Sequence, residues 1–396
     1  MTSEIIIAYM VRPPPSAAQI VLSAFLGLAI AIGVGRFAFT PLLPMMMADA
    51  GVSLAEGGWL ATANYAGYLL GALTASRLPA RDTTAMRAAL VIIVAATALM
   101  AWTESFAAWM LLRALAGIAS AWVMVLVSAW SLRELALRDR ASLSARAYGG
   151  VGTGIAATGL LVLLLAAINS DSSQAWWLCG LFALALMALA WPGMRASADA
   201  QVEQQAPVAT NKTGPHDLRL VLCYGAYGLG YIIPATFLPA LARQSMPDPL
   251  VFNWVWPLFG TVAVISTLLA ERLQRRYSPL GLWIACHLVI AAGVALLALP
   301  DSAVAIVLSA VSVGGTFVVV TVGGFQVARQ LSGGDPTRLI GAMTAAFAAG
   351  QIAGPLVLAW SERSLGVGAS LALAAVALLV SAYALWRMPG QVEGSH

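Results

Sequence analysis

Charge is what this 396-residue sequence has least of. Asp, Glu, Lys and Arg together make 10% of it, and a single lysine, Lys212, stands beside twenty arginines. Soluble domains carry about 25% charged residues, so the composition excludes an ordinary water-exposed surface. The net charge of +4 reflects topology and not a nucleic-acid face. The three cysteines, Cys179, Cys223 and Cys286, all fall in apolar runs without paired or CxxC spacing, which excludes a disulfide framework and a metal site. No GxxxxGK[ST] loop or His/Cys cluster is present, and no soluble stretch is long enough to hold a nucleotide. Nothing points to an enzyme or to a cofactor.

What is abundant is oil. Hydrophobic residues make up 60% of the chain and the mean hydropathy is +0.85, with apolar runs of about 20 residues recurring from end to end. This is the pattern of an all-α polytopic membrane protein whose main partner is the lipid bilayer. Twelve spans are expected at 18–47, 54–78, 84–102, 105–131, 143–169, 174–192, 218–243, 250–271, 279–299, 302–329, 337–361 and 366–387. "MTSEIIIAYMVRPPPS" has its apolar stretch before its only arginine and reads as a short tail rather than a cleavable signal peptide. The polar stretch 193–217 is a linker. The expected organisation is a tail at 1–17, a six-helix bundle at 18–192, the linker, a second bundle at 218–387, and a tail at 388–396.

The arginines orient the chain. The even-numbered loops and both tails hold 17 of the 21 Lys and Arg, including Arg133, Arg138, Arg140 and Arg146; the odd loops hold only Arg243 and Arg363. Arg36 and Arg113 lie within spans. By the positive-inside rule both termini and the linker are cytoplasmic. Tryptophans cluster at the span ends, Trp102, Trp109, Trp176, Trp177, Trp254, Trp256 and Trp360 outside and Trp130, Trp191 and Trp386 inside, as an interfacial belt does.

The sequence also repeats. An ungapped offset of 195 pairs Gly33 with Gly228, Gly35 with Gly230, Pro44 with Pro239, Trp59 with Trp254, Arg77 with Arg272, Gly159 with Gly354 and Trp191 with Trp386. Because six is even, the copies keep one orientation and form parallel repeats, which place substrate sites at their interface near the bilayer midplane.

Twelve spans, six plus six about a cytoplasmic linker, resemble the major facilitator superfamily over essentially the whole chain. "GVGRFAFTPLLPMM" and "GWLATANYAGYLLGAL" are similar to the GxGRFxxTPLLP first helix and GWLxxANYxGYLxG second helix of its YbfB/YjiJ-like branch. The resemblance implies a secondary transporter in the bacterial inner (cytoplasmic) membrane, working by alternating access as a monomer. In the superfamily's loop motif G-x-x-x-D-R-x-G-R an aspartate and arginines latch neighbouring helix ends. Here Ala75 takes the aspartate position while Arg77 and Arg81 remain, and the second copy offers Glu271 with Arg272, Arg275 and Arg276. "LLRALAGIAS" resembles an R-x-x-x-G motif linked to proton coupling, giving Arg113 and Gly117. The G-x8-G-x3-G-P pattern of drug antiporters is incomplete in the fifth helix (Gly150, Gly154, Gly159) and fuller in the eleventh (Gly341, Gly350, Gly354, Pro355), which weakens that analogy.

Arg36 is the residue that most needs a reason. A charge at the centre of a span costs roughly 2.5–3.5 kcal/mol even on insertion scales, and eight residues before Pro44, taken as the helix end, is about 12 Å inward. The first helix lines the cavity in the superfamily, and a guanidinium offers a carboxylate a planar fork of donors. Arg113 lies at similar depth, so the two cations repel unless an anion or a polar shell intervenes. Every Asp and Glu falls at a span end, in a loop or in a tail, Asp49, Glu56, Glu104, Glu134, Asp171 and Glu271 among them, which argues against a cationic substrate and removes the usual buried proton carrier. The remaining candidates for the pocket are Asn64, Tyr65, Trp122, Tyr227, Tyr231, Gln326 and Gln351, with Tyr68, Tyr148 and Tyr224 nearby; Tyr231 is the repeat mate of Arg36. Gly33, Gly35, Gly228 and Gly230 read as close helix contacts, and Gly350, Gly354 and Pro355 as structural or gating positions. His287, mid-span in a peripheral helix, reads as a satisfied structural histidine.

Two readings remain open. One is a gradient-driven transporter of a small organic anion or carboxylate held by Arg36, coupled through the substrate's own proton, through anion exchange, or not at all. The other is an exporter of neutral or amphipathic compounds, sugars or drugs, with Arg36 structural. Neither the substrate nor the direction of transport is legible. If the arginine asymmetry is read correctly, a cysteine placed within 195–215 reacts only with reagents that reach the cytoplasm; labelling from outside intact cells would overturn the twelve-span topology.

Overall fold

Without water in the bilayer core, every backbone N–H and C=O must be satisfied within the chain, and for segments this apolar the helix is the available solution. The computed structural model describes residues 14–75, 77–78, 83–140, 143–195, 215–245, 252–274, 276–299, 302–331 and 337–388, and no strand occurs among them. Among these residues twelve long helices run in chain order: α1 Ala17–Asp49, α2 Leu54–Ala75, α3 Thr83–Leu99, α4 Phe106–Ala136, α5 Gly149–Ala167, α6 Ser172–Ala190, α7 Pro215–Ser245, α8 Val255–Gln274, α9 Pro279–Leu296, α10 Ala303–Leu331, α11 Thr337–Ser364 and α12 Val367–Trp386. Ten are long and apolar enough to cross a membrane; the remaining two are α2, which carries Glu56 and Asn64, and α8, apolar over Val255–Ala270.

Side-chain caps start the helices where the sequence offers them. Ser16 forms a capping box with Gln19 at α1, Ser53 with Glu56 at α2, and Asp171 accepts the Gln174 N–H at α6. Ser278 and Ser302 do the same for α9 and α10. Gly51 and Gly366 turn the chain at φ +68° and +79°, a region that favours glycine.

Two expected boundaries need correction. The helix carrying Pro44 continues to Asp49, so Pro44 is inside it and does not end it. The apolar Met45–Met46–Met47 run keeps the chain helical past the proline. Arg36 is therefore thirteen residues from the helix end, about 20 Å, still in the middle portion of a 33-residue span. The fifth span begins later than 143, because a short helix Ser144–Ala147 and a turn at Tyr148 precede α5. Arg81 and residues 196–214 of the linker lie outside the described residues, as do residues 1–13, Arg275 and residues 389–396, and so does the side chain of Glu271. Arg77 and Arg272 are exposed.

Packing repeats with the sequence. α1 packs on α5 as α7 does on α11, and α3 on α6 as α9 does on α12; between the copies, α2 meets α11 as α8 meets α5. Thr40 Oγ1 donates to Ala235 O (3.0 Å); these residues are 195 apart, so a repeat mate touches its mate and marks the pseudo-two-fold axis.

Glycines set the closest approaches. A Cβ on Gly33 would collide with the Gly154 backbone, on Gly228 with Phe347, and on Gly350 with Gly225, while a Cβ on Gly341 meets nothing within 4 Å. The same collision awaits Gly230 against Leu378 and Gly354 against Ile232, and Gly35 would meet Ser120 Oγ at 2.6 Å. Gly33→Ala and Gly228→Ala are therefore expected to destabilise by about 1–3 kcal/mol through overpacking, with Gly341→Ala neutral. Thermal unfolding in detergent tests this, and equal melting of all three variants would refute it.

Candidate functional site

The site begins with a fault in α1. The helix is α-helical over Ala17–Leu28, π-helical over Ala29–Val34 and α-helical again from Phe39. Within the π segment Gly35 N–H bonds to Ile30 O (2.8 Å) and Phe37 N–H to Ile32 O (3.1 Å), five residues back. Beyond it, Pro41 has no N–H to give Phe37 O. Phe37 O takes the Thr40 N–H instead (3.2 Å), and Arg36 O loses its regular donor.

Side chains of α2 and α4 satisfy the exposed carbonyls. Arg113 donates from Nη2 to Arg36 O (3.1 Å) and from Nη1 to Gly35 O (3.3 Å). Asn64 Nδ2 donates to Gly35 O (3.2 Å) and to Arg113 O (2.9 Å), and Ser120 Oγ donates to Ala31 O (2.7 Å). Gly117 makes this possible: its missing side chain lets α4 touch the Asn64 backbone of α2.

Arg36 itself points between the repeats. It is 5% exposed; Nη2 donates to Gln351 Oε1 on α11 (3.0 Å), and Gln351 Nε2 donates to the Tyr231 hydroxyl on α7 (3.2 Å). The guanidinium carbon lies 4.1 Å from the Tyr68 ring centroid and 5.1 Å from that of Tyr65, while Arg113 lies 4.7 Å from that of Phe39. The repulsion expected between two cations is thus met by carbonyls and aromatic faces. No carboxylate contacts either arginine among the described residues, and both Nε atoms are buried without a hydrogen-bond partner. The ion pairs that are described, Arg133–Glu134 and Arg138–Glu134, lie at the far end of α4.

The structure brings Arg36, Asn64, Tyr65, Arg113, Tyr231 and Gln351 together. Tyr227 adjoins them, its ring 5.3 Å from Tyr231 and its hydroxyl donating to Phe317 O (2.7 Å). Trp122 gives its indole N–H to Thr74 Oγ1 (2.9 Å). Gln326 is half-buried nine residues past Phe317 on α10, about 13 Å further along the helix. His287 is buried between Trp283 Nε1 (2.9 Å) and Ser381 Oγ (3.1 Å). Sequence reasoning missed Thr236, which pairs with the Tyr65 hydroxyl at 2.7 Å; a lone threonine in an apolar helix gives no signal.

The repeats are joined by Arg36–Gln351, Thr40–Ala235, Tyr65–Thr236 and a bond from Arg243 to Pro44 O. On α1 these contacts run from Arg36 towards Asp49. On the Ala17 side of Arg36, Tyr68, Trp122, Phe325 and Phe347 are half-buried and Tyr148 is exposed. The hydrogen bonds that join the repeats are thus on the Asp49 side, while on the Ala17 side the repeats still touch where Gly152 meets Val264.

Twelve helices in two parallel copies about a polar centre, with the family model that matches them, define a transporter of the major facilitator superfamily. The chain belongs to the family described as uncharacterised MFS-type transporter YbfB, whose model matches residues 28–386. Among curated proteins none matches the sequence. Similar solved structures include a mutant of the nucleoside transporter NupG (TM-score 0.75, 15% identity, covering 93% of this chain and 98% of that one). The D-xylose-proton symporter is similar too (TM-score 0.76, 13% identity, 96% and 99%). At such identities the likeness shows the fold alone.

Arg113→Gln removes charged donors from two buried carbonyls and is expected to lower stability by about 1.5–3 kcal/mol, with Ser120→Ala costing about 0.5–1.5 kcal/mol. Thermal unfolding of both variants checks the ranking; wild-type melting in Arg113→Gln would show that the carbonyls find other donors.

Proposed function

We propose that this protein is a secondary transporter that carries a small organic anion, most simply a carboxylate, across the inner membrane by alternating access. The observation that carries the reading is Arg36. Its burial unpaired costs several kcal/mol, whereas one hydrogen bond from a charged group returns about 1.5–3 kcal/mol and an aromatic face about 0.5–2 kcal/mol. The rings of Phe37, Tyr65 and Tyr68 surround the guanidinium, but none brings a counter-charge; an anion would, and the buried Nε has no hydrogen-bond partner to compete with it. Residues 18–192 and 218–387 are the two bodies that rock, joined by the linker 193–217, and one chain contains the whole pathway, so a monomer suffices. With both termini cytoplasmic, as the arginine asymmetry indicates, the hydrogen bonds on the Asp49 side and the half-buried side chains on the Ala17 side support a conformer open to the cytoplasm. Since the Asp and Glu of the expected spans lie only at span ends, a coupling proton travels with the substrate, or one anion exchanges for another.

A second reading has its own observation. Gln351 and Tyr231 form a neutral polar pair at the same point, suited to a hydroxylated neutral solute, and the similar structures bear the titles of a nucleoside transporter and a xylose symporter. Arg36 is then a strut between the repeats. Uptake into proteoliposomes separates the two. On the anion reading Arg36→Lys raises the apparent KM for labelled carboxylates, and Arg36→Ala abolishes uptake while the protein still inserts and melts near the wild-type temperature. Transport of a nucleoside or pentose that survives Arg36→Ala would establish the neutral reading instead.

A further inference from the structure

The anion reading leaves open what the charge is attached to, and the rings around Arg36 narrow it. In one half the Arg36 guanidinium carbon lies over the Tyr68 ring, 4.1 Å from its centroid. Tyr68 lies one helical turn from Asn64 on α2, on the side of Arg36 that faces the open end. In the other half Phe347 lies one turn from Gln351 on α11, on that same side. Phe347 is held from behind by the Tyr231 ring, nearly parallel to it at 15° and 5.7 Å, and by Tyr227 at 5.1 Å. Tyr231 also stacks on Phe317 (14°, 5.8 Å). Tyr68 and Phe347 are both half-buried. Each repeat therefore places one half-buried ring a turn from the Arg36–Gln351 bond, on its open side, while the guanidinium keeps an Nε without a hydrogen-bond partner.

Aliphatic chains pack on such rings by area alone, but a planar ring also gains the offset-stacked contacts that aromatic pairs prefer. We propose that the transported anion is an aryl or heteroaryl carboxylate, its ring lying between Tyr68 and Phe347 and its carboxylate on the edge of Arg36. This rests on the anion reading above. A ring clamped from both repeats also ties the two bodies together, which gives substrate occupancy a direct hold on their relative position.

Calorimetric titration of the purified full-length protein with benzoate, cyclohexanecarboxylate and benzamide tests the proposal. Benzoate is expected to bind about tenfold tighter than cyclohexanecarboxylate, with no detectable binding of benzamide. Tyr68→Leu and Phe347→Leu should each weaken benzoate by about three- to tenfold while leaving cyclohexanecarboxylate within about twofold; unchanged apo melting of each variant verifies its fold. Equal binding of benzoate and cyclohexanecarboxylate, both above benzamide, would overturn the ring slot and leave the anion reading standing. Benzamide binding as tightly as benzoate would overturn the anion reading itself. Failure of benzoate, nicotinate and indole-3-acetate to bind at millimolar concentration would overturn the ring slot, and carboxylate uptake that depends on Arg36 would then still uphold the anion.

Discussion

The carbonyl oxygens of Gly35 and Arg36 are where the architecture of the site is decided. An interrupted helix in lipid must find donors for its freed backbone groups, and here Arg113, Asn64 and Ser120 provide them from two neighbouring helices. That requirement explains why α2 and α4 meet so closely at Gly117, and why a second arginine is tolerated at the depth of the first. It also fixes the backbone from which Arg36 projects. A cation free to swing would sample the bundle; one whose own carbonyl is gripped by Arg113 is presented to a single place between the repeats.

The two copies share a framework and divide the chemistry. At the offset of 195, Arg36 corresponds to Tyr231, Asn64 to Phe259 and Arg113 to Leu308. Charge and amide groups are retained in the first repeat, while the second answers with rings: Trp256, Phe259, Phe317 and Tyr231 stack with interplanar angles of 14–20°. The pathway is thus flanked by unlike walls, one that presents a positive charge and one that presents flat apolar faces with a glutamine among them.

Most of the fold was legible because lipid leaves so few options. Apolar run length alone located all twelve helices to within a few residues at most ends, and α2, despite Glu56 and Asn64, was still carried by its length. The misreading of Pro44 has a plain cause: proline breaks helices in water, whereas three methionines beyond it continue the helix here. In the site, a charge within oil announced Arg36, and polar tips within apolar helices announced Asn64, Gln351 and Tyr231. What each contacts was hidden. The hydrogen bonds of Arg113 depend on a π segment and on the missing N–H of Pro41, and no hydropathy pattern encodes which carbonyl such a fault exposes. Thr236 and Ser120 were invisible because a hydroxyl in a membrane helix ordinarily bonds its own backbone.

The π segment has one more consequence. Between Gly33 and Pro44 in the first copy, and Gly228 and Pro239 in the second, the sequences have the same length, but α7 is α-helical throughout. The wider turn over Ala29–Val34 and the tighter Thr40–Phe37 turn after it change the rotation per residue in α1, so its side chains here run out of phase with those of α7. The copies diverged in phase without gaining or losing a residue. Positions that align along the chain consequently face different neighbours in space, and the two walls differ in the way one helix is wound as well as in the residues it carries.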